Sequence, residues 1–214
     1  MKLSKIVSAS VFILLFAVSA FAANSTSEQF PINKVKGKGP LPYNYRIIDG
    51  HLHAGGHPLN PHDFVNSDEQ VLAILQGLKS RGVTTVIDLE NTIYIQDRYR
   101  ALLKKAGLKR LHVPMNAHLT PSQAEWQRIK DTIEKTPVYV HCKWGADRTG
   151  SIIAKYLIDE KGYGTVEAWE AVISDGSHAG PFGGLKRTYD YRGLIMFICP
   201  DAKNYKEFKS YFIQ

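Results

Sequence analysis

Val138-Tyr139-Val140-His141-Cys142-Lys143-Trp144-Gly145-Ala146-Asp147-Arg148-Thr149-Gly150 is the stretch on which the fold turns. Its first three residues are apolar or β-branched and read as a buried strand. Downstream, Ile152, Ile153, Tyr156 and Leu157 recur at helical spacing, which predicts a helix over 149–161 with those four side chains facing the core. A strand, a tight loop and a helix start in that order make an anion site. Successive backbone N–H groups, here including those of Gly145 and Ala146, and the positive end of the helix aim at one volume. Five residues separate Cys142 from Arg148. That is enough chain to wrap a phosphate while the guanidinium fork returns to grip two of its oxygens.

Working outward, strands alternate with helices. Arg46 to Ile48 and Leu52 read as an opening hairpin. Ser67 starts a helix with Gln70 as its capping-box partner, and Val71, Ile74, Leu75 and Leu78 form its apolar stripe until Arg81-Gly82. Val83 to Leu89 is β-branched and largely apolar, a strand. A second amphipathic stretch with Tyr99, Leu102 and Leu103 stops at Gly107, and Leu111 to Met115 is the next strand. Thr120-Pro121-Ser122-Gln123 predicts a helix capped by Thr120 with Gln123 closing the box, running to about Glu134. Thr165 caps a further short helix, residues 175–184 form a Gly/Ser/Pro-rich loop, and the C-terminal region reads as helical. This order implies an α/β fold: a central, mostly parallel sheet flanked by helices on both faces. In such sheets ligands bind beyond the carboxyl ends of the strands, which is where the stretch from His141 lies.

The field that favours an anion also favours the thiolate of Cys142, the form in which a cysteine is a nucleophile. Thr149 is placed to donate a hydrogen bond to that sulfur and help it leave, and His141 to orient the loop. His-Cys-x5-Arg-Thr-Gly resembles the signature of the cysteine-based protein-tyrosine and dual-specificity phosphatases. Within them it is most like the inositol polyphosphatases known as cysteine phytases. Weaker similarity runs from about Tyr45 to Ile173. The segment from Tyr45 to Gly56 looks like the opening strands of the small dual-specificity members, and Gly82 to Leu89 like their next strand. The resemblance implies a dual-specificity-phosphatase-like fold, phosphomonoester hydrolysis through a phosphocysteine, and no metal or other cofactor. One departure concerns the general acid. Matched to the Val-Pro-x-x-Asp-His pattern of the cysteine phytases, Val113-Pro114-Met115-Asn116-Ala117-His118 places Ala117 where the acid belongs. Asp147, which occupies an acid position in myotubularin-like relatives, is one substitute and His118 another; Asp147 can equally be a loop brace.

Lys143 directly after the nucleophile resembles the phosphoinositide-directed members, Trp144 can wall the pocket, and Lys186, Arg187 and Arg192 can reach a second phosphate. These features favour inositol polyphosphates or phosphoinositides as substrates, with phosphoproteins as the alternative. The net charge of +7 fits an anionic substrate. No recognition helix, zinc spacing or aromatic RNA-binding motif points to nucleic acid.

Lys2 and Lys5, an apolar run over 6–20 and Ala20-Phe21-Ala22 form the pattern of an export signal, so the protein is expected to be periplasmic or secreted. Cleavage after Ala22 takes 22 of the 214 residues and leaves 192, with no stable membrane insertion after processing. Residues 23–44 read as a lead-in and 45–214 as one phosphatase domain. Of the two cysteines, Cys199 ends an apolar run and is expected in the core. In a rival reading, His51-Leu52-His53 after Ile48-Asp49 resembles the first metal-binding strand of amidohydrolases, with His57 and His62 nearby. The chain is short for such a barrel, and that reading leaves Cys142 and Arg148 without a role.

Overall fold

A computed structural model describes residues 41–60, 62–169 and 190–209. The export signal, most of the lead-in, the loop at 175–184, and Lys186 and Arg187 lie outside the described residues.

Five strands form one sheet: β1 (Arg46–Ile47), β2 (Leu52–Gly55), β3 (Thr85–Asp88), β4 (Lys109–His112) and β5 (Val138–His141), in the order β1-β2-β5-β3-β4. Only β1 is antiparallel, hairpinned to β2. The rest are parallel, with Gly55 and Asp88 both in register with His141. The last strand in sequence is therefore the central one. Its four residues are buried, and the chain leaves it between the carboxyl ends of β2 and β3.

Side chains alternate between the sheet's faces. Leu52, Ala54, Ile87, Val138 and Val140 join one core, with α3 (Gln123–Lys135), α4 (Asp147–Lys161), α5 (Thr165–Trp169) and α6 (Arg192–Ile198) packed over them. Val86 and Tyr139 join the other, covered by α1 (Asp68–Ser80) and α2 (Gln96–Ala106). The expected stripe of Val71, Ile74, Leu75 and Leu78 is buried there, and Cys199 sits in the first core as a free thiol.

Boundaries differ from the sequence expectation for local reasons. The cap of α3 is Ser122, not Thr120. Its hydroxyl accepts from the Glu125 backbone, and the Glu125 carboxylate accepts from the Ser122 backbone, so Glu125 rather than Gln123 closes the box. Strand β4 begins at Lys109, whose N–H reaches the Thr84 carbonyl, two residues before the expected Leu111. Helix α4 starts at Asp147 instead of Thr149, and Thr165 is the first residue of α5 instead of its cap.

Candidate active site

The loop from Cys142 to Ala146 is shaped by what lies behind it. Gly145 has φ of +70°, and a Cβ there would run into the Gly55 carbonyl and the Gly56 nitrogen at the end of β2. Only glycine meets both demands. The loop's outward carbonyls are bound. The His57 N–H donates to Lys143 O at 3.0 Å, and Asn44 Nδ2 and Arg46 Nη1 donate to Gly145 O at 3.2 and 2.9 Å. Among the described residues no peptide bond is cis. In a trans peptide, C=O and N–H point oppositely, so the Trp144 and Ala146 N–H groups face the concave side. Helices α1 and α3 close their first turns with capping boxes, whereas α4 has no side-chain cap at Ala146. Its first-turn N–H groups are therefore open to an anion.

Cys142 is 3% exposed at the base of this loop. Arg148 lies one helical residue into α4. Its Nη1 donates to Met115 O at 3.0 Å, Leu89 O at 3.3 Å and Asn91 Oδ1 at 3.4 Å, and Nη2 to Glu90 Oε2 at 3.1 Å. Burial lowers the Arg148 pKa, but the Cys142 charge and Glu90 outweigh that and hold it above the ordinary value. Glu90 was not singled out by its sequence. It is 1% exposed and also accepts from the N–H groups of Asn91 and Thr92. Its one sequence signal is its place just after a buried parallel strand, where polar side chains face the ligand crevice. Replacing Glu90 with Ala strips a buried cation of its partner, so unfolding free energy should fall by about 3 kcal/mol. A denaturant midpoint within error of wild type would refute that.

His141 is fully buried, with Nε2 3.0 Å from the Tyr99 hydroxyl and Nδ1 without a hydrogen-bond partner. Burial pushes its pKa, and further still that of His57, below the usual imidazole value. Beside them Asp88 accepts both Arg110 Nε and Nη2, and the Glu90 N–H. The donor atoms of His57, Asp88 and His141 lie within 4.8 Å of one another, a grouping that could in principle hold a cation. Asp88 is committed to Arg110 and His141 Nε2 to Tyr99, while His57 accepts from the Leu59 N–H through Nδ1 and keeps a buried, unpartnered Nε2. The set fits a hydrogen-bonded brace under the loop better than a metal centre. The histidines of the amidohydrolase reading do not converge. His51 stands by Asp49, His53 pairs with the Tyr45 hydroxyl and His62 stands by Asp63.

Three expectations need correction. Thr149 Oγ1 is buried with no hydrogen-bond partner, so it is not bonded to the Cys142 sulfur. Arg192 is spent on Asp190, with bonds of 2.8 and 2.6 Å, and is no free cation for a second phosphate. His118 is exposed on a turn in which Asn116 Oδ1 accepts from the His118 and Leu119 N–H groups. It does not line the cleft of about 250 Å³ at the start of α4, between Asn91, Asn116, Ala117, Asp147, Arg148, Tyr191 and Leu194. Asp147 does. Ala117, at the missing acid position, faces the same cleft, with its carbonyl seated so closely on Gly193 of α6 that a Cβ there would collide. On the other side, the Lys143 ammonium lies 5.4 Å from the Phe64 ring, and Trp144 packs edge-on against Tyr43 and His62.

A family model described as a polymorphic toxin system DSP-PTPase phosphatase matches residues 66–162. The tyrosine-protein phosphatase of Autographa californica nuclear polyhedrosis virus is 34% identical over 134 residues, covering 57% of this chain and 77% of the viral protein. The Mus musculus dual specificity protein phosphatase CDC14A is 32% identical over 107 residues, 48% of this chain but 17% of its own length. Among solved structures, P. aeruginosa TpbA superposes with a TM-score of 0.51 at 20% identity, over 79% of this chain and 89% of its own. PTPMT1 in complex with PI(5)P gives 0.50 at 22%, over 75% and 97%. At such identities the structures speak for the fold.

Proposed function

The chain belongs to the cysteine-dependent tyrosine and dual-specificity phosphatases, and from that premise we propose that it hydrolyses phosphate monoesters of inositol through a phosphocysteine formed on Cys142. The observation that carries the chemistry is the convergence on Cys142 of inward loop N–H groups, an uncapped helix start and Arg148. The Cys142 sulfur attacks phosphorus and the P–O bond to the leaving group breaks, the departing oxygen taking a proton from an acid. Water then attacks phosphorus and the P–S bond breaks, which returns the thiolate and releases phosphate. Asp147, on the cleft beside Arg148, is the acid in this reading.

The inositol assignment is supported by Lys143 next to the nucleophile, by the Asp147-Arg148-Thr149 run and by the basic excess. Export of the enzyme, directed by residues 1–22, belongs to the same reading. Among the described residues no helix is long and apolar enough to cross a membrane. A phosphotyrosine reading draws on the aromatic wall of Trp144, Tyr43 and His62, and on the names of relatives. Phosphate release from inositol hexakisphosphate, a phosphoinositide panel and phosphotyrosyl peptides separates the two. Inositol polyphosphates should give the higher kcat/KM, and salt should raise their KM more than that of a monophosphate ester, because more screened contacts are involved. A higher kcat/KM on the peptides would reverse the assignment.

A further inference from the structure

Arg46 is 2% exposed on β1, and no carboxylate stands within ion-pair distance of it among the described residues. Its Nη1 donates to the carbonyls of Asn44 at 3.1 Å and Gly145 at 2.9 Å. Nε and Nη2 are buried with no hydrogen-bond partner. An arginine in that state is unusual, because a buried charge is ordinarily paired. Burial brings its pKa down to about 10, which leaves it a cation at neutral pH. The two groups whose negative charge it feels are Cys142 and Tyr139. Tyr139 cannot be the counter-charge. Its hydroxyl donates to Gly56 O at 2.5 Å, and burial holds the phenol well above its usual range.

We propose that Arg46 is a positioning residue of the phosphate loop, whose counter-charge is the anion the loop holds: first the Cys142 thiolate, then the phosphocysteine. Two effects follow from one contact. Binding the Gly145 carbonyl from behind turns the Ala146 N–H into the loop and polarises that peptide toward an anion. The guanidinium also adds a full positive charge to the field at the sulfur in a poorly screened interior, as Arg148 does. The other ionisable groups around Cys142 are Tyr139 and His141 from β5, Asp147 and Arg148 from α4, and Glu90 beyond β3, which is paired with Arg148. The Lys143 side chain lies over Phe64 instead.

The inference rests on Cys142 being the nucleophile, and reactivity of the thiol tests both ideas apart. The full chain is alkylated with iodoacetamide at pH 6 and pH 9, and modification of Cys142 and Cys199 is followed separately by peptide mass spectrometry. Arg46→Gln keeps a donor for the Gly145 carbonyl but removes the charge. It should slow Cys142 alkylation at pH 6 by about tenfold or more, the scale of one buried charge, and leave it within about twofold of wild type at pH 9. Arg46→Lys should stay within about threefold of wild type at both. Circular dichroism confirms that each variant is folded; if Arg46→Gln is not, Arg46→Met carries the same expectation. Wild-type rates at pH 6 in the uncharged variant would overturn the proposal. So would an equal loss at both pH values, or a lysine variant as slow as the glutamine one. Wild-type Cys142 reacting at pH 6 no faster than a cysteine of the unfolded chain would instead sink the nucleophile reading, and the proposal with it.

Discussion

Cys142→Ser lowers turnover of every phosphate monoester by about 10⁴-fold or more, the scale lost when an activated nucleophile is removed, and leaves substrate binding within a few-fold. A serine fits the space of the buried thiol. The groups proposed to hold phosphate are backbone N–H groups and Arg148, which the substitution does not touch. What disappears is the thiolate, since a serine hydroxyl is not ionised by the same field. Binding of a slow substrate by calorimetry, beside single-turnover kinetics, separates the two terms. Vanadate should inhibit the wild type, because it takes up the five-coordinate geometry of the transition state. EDTA should have no effect on a reaction carried by a thiolate and a guanidinium. Retention of most of the activity in Cys142→Ser would end the covalent mechanism.

Asp147→Asn should slow alkyl phosphates by about 10²–10⁴-fold, the usual weight of a general acid, and aryl phosphates with acidic phenols far less. An inositol alkoxide is a poor leaving group and needs a proton as the P–O bond breaks; a nitrophenolate scarcely does. Asp147 lines the cleft with Arg148, and at the cysteine-phytase acid position the same cleft is lined by Ala117, which has no proton to give. A similar loss on both substrates would mean that Asp147 only braces the loop. His118→Ala is the matched control. His118 is exposed and outside that cleft, so a leaving-group-dependent loss there, with none in Asp147→Asn, would transfer the role to it.

The strand–loop–helix over 138–161 was legible because its information is local. A buried β run, a glycine where φ must be positive and a helical apolar stripe are properties of adjacent residues. The parallel sheet and its ligand edge followed from the alternation of elements, and the family from the resemblance of the His141-to-Gly150 run to a known signature. The same local logic placed the α3 start within two residues but chose between two eligible caps wrongly, because Thr120 and Ser122 both satisfy the pattern and only side-chain geometry separates them.

What the tertiary structure decided are contacts between residues far apart in the chain. Arg46 and Gly145 are 99 positions apart and meet because the hairpin of β1 and β2 pairs beside β5. Glu90 reaches Arg148 across 58 positions because β3 is the other neighbour of β5. Arg192 looks like a free phosphate ligand until Asp190 is seen to hold it, and only the structure shows that His118 sits exposed outside the cleft that Asp147 lines. Periodicity and capping report on a residue's own element. Which charge meets which, and so which group is left to act on a substrate, depends on the order in which the strands are laid side by side.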